Sequence, residues 1–161
     1  MLADKETKFD LEEFLPYRIN RAAEWISLNF AKEYKSRYDM TRPEWRALAA
    51  LGSLGRITAT EIGVHSGMHK TKVSRAVKGL EDRRWLTRTQ NGDDRRMEYL
   101  ELTSIGKASY RELAKVALSY EARLVSLLGA QGVDNLKRAL NAIEAAARSS
   151  TANRDLKRRF D

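Results

Sequence analysis

Six side chains between positions 70 and 78 could do chemistry of one kind. Lys70, Thr71, Lys72, Ser74, Arg75 and Lys78 are all hydrogen-bond donors, and four of them are cations. Val73, Ala76, Val77 and Leu80 recur among them at intervals of three and four, so a helix would bury these and turn the donors outward. Such a row breaks no bond. What it can do is grip phosphate oxygens and reach base edges in a nucleic-acid groove. A plain helical hairpin with a solvated basic face is the bland alternative.

Other chemistries find less to work with. His65 and His69 stand four apart, the spacing of a metal pair on one helix face, but Gly67 lies between them. With only two histidines and no cysteine there is no obvious third ligand, so a metal-responsive regulator is the weaker alternative. No nucleophile–base pair and no phosphate-cradling glycine loop occurs, so neither an enzyme nor a cofactor is expected. The missing cysteines also exclude disulfides and thiol redox sensing. No apolar run is long enough to span a bilayer, and the polar, charged start does not resemble a signal peptide. A soluble, cytoplasmic protein is expected.

At 161 residues the chain is long enough to bury a real core. Its net charge of +8 favours a polyanionic partner. The excess is local: nine basic residues face four acidic ones between His69 and Arg96, against seven and eight in the first forty residues. That is the footprint of a nucleic-acid-reading segment, although a nonspecific or architectural binder would carry the same charge.

The elements that must position the donors can be read around them. Thr58 and Glu61 have capping-box spacing, opening a short helix over Ala59–Ser66. Gly67 then supplies a tight turn into a second helix from about Lys70 to Arg83. Beyond it the pattern alternates: Leu86–Gln90 and Met97–Leu102 read as strands with Leu100 and Leu102 inward. Asn91-Gly92 joins them as a strong hairpin signal. A helix-turn-helix followed at once by a hairpin is a winged helix. Its wing carries Arg95 and Arg96 near the tip, where arginines can enter a minor groove.

Long helices flank this unit. Leu11, Phe14, Leu15, Ile19, Ala22, Ile26 and Phe30 form a stripe with a possible Asp10–Glu13 cap, and Pro16 predicts a kink or restart near Leu15. Thr41, Pro43 and Glu44 announce a helix with Trp45, Leu48 and Leu51 inside. Thr103 caps a long helix whose buried stripe is Ile105, Leu113, Val116, Tyr120, Leu124 and Leu127. After a break at Gly129–Gly132, Val133, Leu136, Leu140, Ile143 and Ala147 make a seam like that of a coiled coil. The expected class is mainly α, α+β in its wing: a winged helix-turn-helix with long N- and C-terminal dimerisation helices. The divisions are 1–37 (dimerisation helix), 38–103 (DNA-binding winged helix) and 104–161 (dimerisation helices and a basic tail).

This order resembles the multiple-antibiotic-resistance regulator (MarR) family of dimeric winged-helix transcription factors over nearly the whole chain. Asp94-x-Arg96-x-x-x-Leu100-x-Leu102-Thr103, then Gly106, is similar to the family's wing signature. Lys70-Thr71-Lys72-Val73-Ser74-Arg75-Ala76-Val77, with Leu80 and Glu81, resembles its recognition helix. Phe14-Leu15-Pro16-Tyr17-Arg18-Ile19 and Thr41-x-x-Glu44-Trp45 are similar to helix starts in one branch. The resemblance implies that Arg96 reaches the minor groove, that Asp94 holds the wing in shape, and that Lys70, Thr71, Lys72, Ser74 and Arg75 face the major groove. It further implies a homodimeric repressor released from a pseudo-palindromic operator by a small aromatic acid or its thioester. Tyr17, Arg21, Trp25 and Trp45 offer an aromatic surface and a cation for such an effector. Two positions depart from the pattern: His69 stands where a better N-cap is usual, and Arg84 where glycine is usual.

Overall fold

The computed structural model describes residues 9–90, 92 and 97–149. Asp94, Arg95 and Arg96 of the wing, and the basic tail from Arg154, lie outside these residues. Five helices and a two-stranded sheet follow one another as α1 (Leu15–Tyr38), α2 (Arg42–Leu54), α3 (Ala59–Ser66), α4 (Lys70–Asp82), β1 (Leu86–Gln90), β2 (Glu98–Leu102) and α5 (Ser104–Ser149).

Helix α1 starts at Leu15 with Phe14 as an N-cap that makes no side-chain cap bond. The expected Asp10–Glu13 cap does not form; Asp10 Oδ1 instead accepts from the Glu12 N–H at 3.0 Å. Pro16 decides this. A helix begun at Leu11 would place the proline in its interior, where the ring strikes a carbonyl and an N–H is lost; starting at Leu15 puts it in the tolerated first turn. The restart expected near Leu15 is therefore what the chain does.

Helices α2 and α3 both open on complete capping boxes, Thr41 with Glu44 and Thr58 with Glu61. Each satisfies two N–H groups that the first turn would otherwise leave bare. Gly67 ends α3 in the left-handed conformation (φ 66°, ψ 27°), a shape that costs glycine nothing and turns the chain into α4. Helix α4 buries Val73, Ala76, Val77 and Leu80, and packs chiefly on α2 and α3.

The strands pair antiparallel, with Leu86 opposite Leu102 and Gln90 opposite Glu98. Ile57 adds a single bridge to Leu100, exchanging hydrogen bonds of 3.1 and 2.8 Å. Leu100 and Leu102 face inward as the alternation predicts. They meet Leu48, Leu51, Ile62, Val77 and Leu80, while Tyr34 and Leu113 reach the same core from the long helices. Truncating a side chain as enclosed as Leu48 or Leu80 costs about 2–5 kcal/mol, so this cluster holds the winged helix together.

Helix α5 breaks at Gly129 (φ 67°, ψ 168°), while Gly132 lies inside the second limb. The buried stripe expected on the first limb holds at Leu113 but fails at its ends. Ile105 is 59% exposed and Leu127 81% exposed. Ile105 adjoins Gly106, which faces the Trp85 backbone, and Leu127 immediately precedes the break. Beyond Gly129, Leu136, Leu140 and Ile143 lie on the surface of the chain, as do Leu15, Ile19 and Trp25 on α1.

Candidate nucleic-acid interface

The donor row is where the helical pattern put it. Lys70, Thr71, Lys72, Ser74, Arg75 and Lys78 are all exposed on α4, behind which Val73, Ala76, Val77 and Leu80 anchor the helix. The face is rigid because its opposite side is core. Lys78 differs from the rest: its ammonium donates to Asp82 Oδ1 at 2.7 Å, and this hydrogen bond raises its pKa.

The ends of α4 carry the two departures. His69 takes the N-cap backbone shape (φ −68°, ψ 151°) but its side chain makes no cap hydrogen bond. Arg84 has φ 61°, so the left-handed turn after α4 is kept without glycine. The turn is over-determined by its neighbours. The Arg84 N–H donates to the Glu81 carbonyl, Trp85 N–H to that of Leu80, and Thr103 Oγ1 to the Arg84 carbonyl at 2.9 Å. A left-handed non-glycine residue costs about 1–2 kcal/mol, which these bonds together offset.

Among the described cations of this segment, Arg83 and Arg88 are structural. Arg88 on β1 bridges Glu81 of α4 at 3.0 Å and Glu98 of β2 at 3.1 Å, fixing the sheet to the helix. Those carboxylates, Glu81 first, stabilise its charged form and raise its pKa. Arg83 turns inward to Glu44 and to the backbone of Tyr38 and Asp39. Charge counting alone could not separate these two from the outward-facing row.

The four side chains expected at an effector site fall into two groups. Arg21 lies between the rings of Tyr17 and Trp25, 5.2 Å from each centroid, and donates to Glu12 at 2.6 Å. Trp45 instead stacks on Tyr34 and meets Phe30 edge-on. It also lines an open cleft of about 790 Å³ between α2, α3 and α5, with Arg46, Ser53, His65, Tyr110 and Glu121. Arg46 and His65 were not singled out for this cleft from the sequence. The signal available was the spacing Trp45, Arg46, Ala49, Ser53 along one side of α2. His65 lies in the last turn of α3 while His69 holds the N-cap position of α4, so the pair does not share a helix face. Among the described residues no group of three or more His, Cys, Asp or Glu side chains could hold a metal ion. No helix among them is long and apolar enough to cross a membrane.

Comparison with known proteins agrees with this geometry. A model of the MarR family matches residues 38–97. YwoH of Bacillus subtilis, described as an HTH-type transcriptional regulator, is 29% identical over 112 residues, 70% of this chain and 80% of the relative. The MarR-family regulator SPO1453 of Silicibacter pomeroyi has a similar structure, with a TM-score of 0.71 at 26% identity over 84% of this chain and 98% of its own. BpsR of Bordetella bronchiseptica, whose DNA binding is regulated by 6-hydroxynicotinic acid, superposes with a TM-score of 0.74 at 18% identity, covering 82% and 99% of the two chains. A donor helix anchored on the core, a strand pair after it, long flanking helices and these relatives lead to one conclusion: the chain folds as a winged helix-turn-helix whose residues 38–97 match the MarR family of transcriptional regulators.

Proposed function

We propose that this regulator is a homodimeric, cytoplasmic repressor that reads a pseudo-palindromic operator and leaves it when a small aromatic acid or its thioester binds. The observation that carries the DNA-reading part is the exposed donor row of α4 backed by a fully buried face. Lys70, Lys72 and Arg75 supply phosphate neutralisation; Thr71, Ser74 and Arg75 supply base contacts. Arg95 and Arg96 extend the reading to the minor groove on the strength of the sequence motif, with Asp94 holding the wing in shape. The dimer is supported by the exposed Leu136, Leu140 and Ile143 stripe, too apolar to face water alone. Two reading helices related by a two-fold axis suit half-sites about one helical turn apart, roughly 34 Å.

The effector part draws support from BpsR and from the cleft at Trp45. Arg46 and His65 offer cation and donor to a carboxylate there, and Trp45 and Tyr110 offer faces for a ring. The Tyr17–Arg21–Trp25 stack is the second candidate for the same acid. Gel shifts on duplexes selected from random DNA, over a salt series, test the reading: sequence preference with steep salt dependence is expected. Equal affinity for selected and random DNA would make the protein a nonspecific binder. Thermal shift with benzoic and hydroxynicotinic acids tests the effector, and Arg46→Met against Arg21→Met distinguishes the two places for it. A ligand-induced rise in Tm that neither variant abolishes would dismiss both.

A further inference from the structure

Arg83, the C-cap of α4, stands at the meeting point of three elements. Its Nη1 donates to the Tyr38 carbonyl at 2.7 Å and its Nη2 to the Asp39 carbonyl at 3.1 Å. Tyr38 is the last residue of α1, and Asp39 is its left-handed cap (φ 48°). Nε faces Glu44 Oε1 at 3.5 Å, and the guanidinium carbon lies 5.5 Å from the centroid of the Trp85 ring. Carbonyls at a helix C-terminus carry partial negative charge, so a planar cation with paired donors suits them better than an ammonium.

Glu44 is itself held. It is 8% exposed, completes the capping box of α2, and lies so close to Gly79 of α4 that a Cβ there would overlap its carboxylate. The connection continues past Arg83. The Tyr38 ring meets Trp85 edge-on, its hydroxyl donates to Glu112 of α5, and Arg37 pairs with the same carboxylate at 3.7 Å. Arg83 thereby fastens the end of α4 directly to α1, and through Tyr38 to α5, alongside the backbone ties that Thr103 makes to Arg84 and Trp85.

We propose that Arg83 is the positioning residue that sets the angle between α4 and the long helices, and through it the half-site spacing that the protein accepts. The inference rests on the reading of the protein as a two-headed DNA binder. A lever argument gives its scale. Helix α4 has 13 residues, about 20 Å at 1.5 Å per residue. A tilt of roughly 10° about Arg83, taken by α2, α3 and α4 as one packed body, moves the Lys70 end by roughly 3.4 Å, one base-pair step. Small changes at the fastening therefore become register changes on DNA.

The test uses the full chain with Arg83→Met, which keeps the stem and removes every donor, and Arg83→Lys, which keeps the charge without the fork. Affinity is measured for a duplex selected by the unaltered protein and for versions with one base pair added or removed between half-sites. The unaltered protein is expected to prefer its own spacing by roughly tenfold or more, in the range of ordinary coupling between sites. Arg83→Met is expected to bind all spacings within about twofold while still rejecting a scrambled half-site; Arg83→Lys should fall between. If Arg83→Met does not fold, the Lys variant carries the comparison. Spin labels on Thr71→Cys and Lys32→Cys, diluted with unlabelled chain, read the angle within one protomer without DNA. A narrow distance distribution should broaden in the Met variant. Preserved spacing preference and an unchanged distribution would reduce Arg83 to a stabilising contact and overturn the inference. If the unaltered protein selects no two-fold sequence, the proposed function falls instead, and the label distances alone decide the role of Arg83.

Discussion

Gly106 lies against the carbonyl oxygen of Trp85 with no room for a side chain: a Cβ at that position would overlap the oxygen. The obstacle is backbone, already fixed by the Thr103 N–H donating to the same carbonyl at 2.9 Å. Gly106→Ala is expected to push the start of α5 off the base of the wing and cost about 3 kcal/mol, the upper part of the range for overpacking. Urea unfolding measures it; a loss below about 0.5 kcal/mol, the level of a neutral surface change, would show that α5 can shift freely here.

Arg84 offers the opposite sign. Its φ of 61° is a left-handed conformation held by a bulky exposed residue. Glycine removes that strain, about 1–2 kcal/mol, and loses part of the gain to its greater freedom when unfolded. Arg84→Gly is expected to raise stability by about 0.5–1 kcal/mol, whereas Arg84→Ala keeps the strain and should gain nothing. Equal effects of the two substitutions in thermal unfolding would refute the strain account.

Glu24 on α1 accepts both terminal nitrogens of Arg42, the first residue of α2, at 2.7 and 3.1 Å. That hydrogen bonding holds the carboxyl below the usual glutamate range. A depressed acid stabilises the fold at neutral pH, and the contribution disappears as pH falls through the folded value. The unaltered protein should therefore lose more stability between neutral and acid pH than Glu24→Gln does, with the difference confined to the carboxylate range. Parallel denaturation midpoints for the two proteins across that range would show that the pair contributes nothing.

What could be read in advance divides by distance along the chain. The Thr41 cap, the Thr58–Glu61 box, the Gly67 turn and the inward Leu100 and Leu102 depend on neighbours within a few residues, and each lies where it was expected; Glu44 adds the second half of a box at Thr41. Asp10 failed as a cap because the proline six residues later vetoed the helix start. Arg83 was counted with the reading cations because its partners, Tyr38, Asp39 and Glu44, come from other elements. Arg46 and His65 come to line one cleft only when α2, α3 and α5 pack around it. Gly129 and Gly132 were equally good places for the break until packing chose; Gly132 remains helical, and a Cβ there would stand 3.2 Å from that of Leu128.

Lys78 and Asp82 make the last prediction, since the same ammonium cannot serve the carboxylate and a phosphate equally well. The pair is exposed on both sides, with the lysine one turn before the acid, and an exposed pair of this kind contributes only a few tenths of a kcal/mol. Asp82 also ends α4, where negative charge opposes the helix dipole, so Asp82→Asn should leave stability within about 0.5 kcal/mol. Its effect belongs to binding instead. Freed from the carboxylate, Lys78 can neutralise one more phosphate per reading head, and the plot of log affinity against log salt should steepen by about 0.9 for each added contact. Affinity at low salt should rise severalfold with sequence preference unchanged, because a phosphate contact carries no base information. An unchanged slope would remove Lys78 from the DNA-facing row and leave that work to Lys70, Lys72 and Arg75.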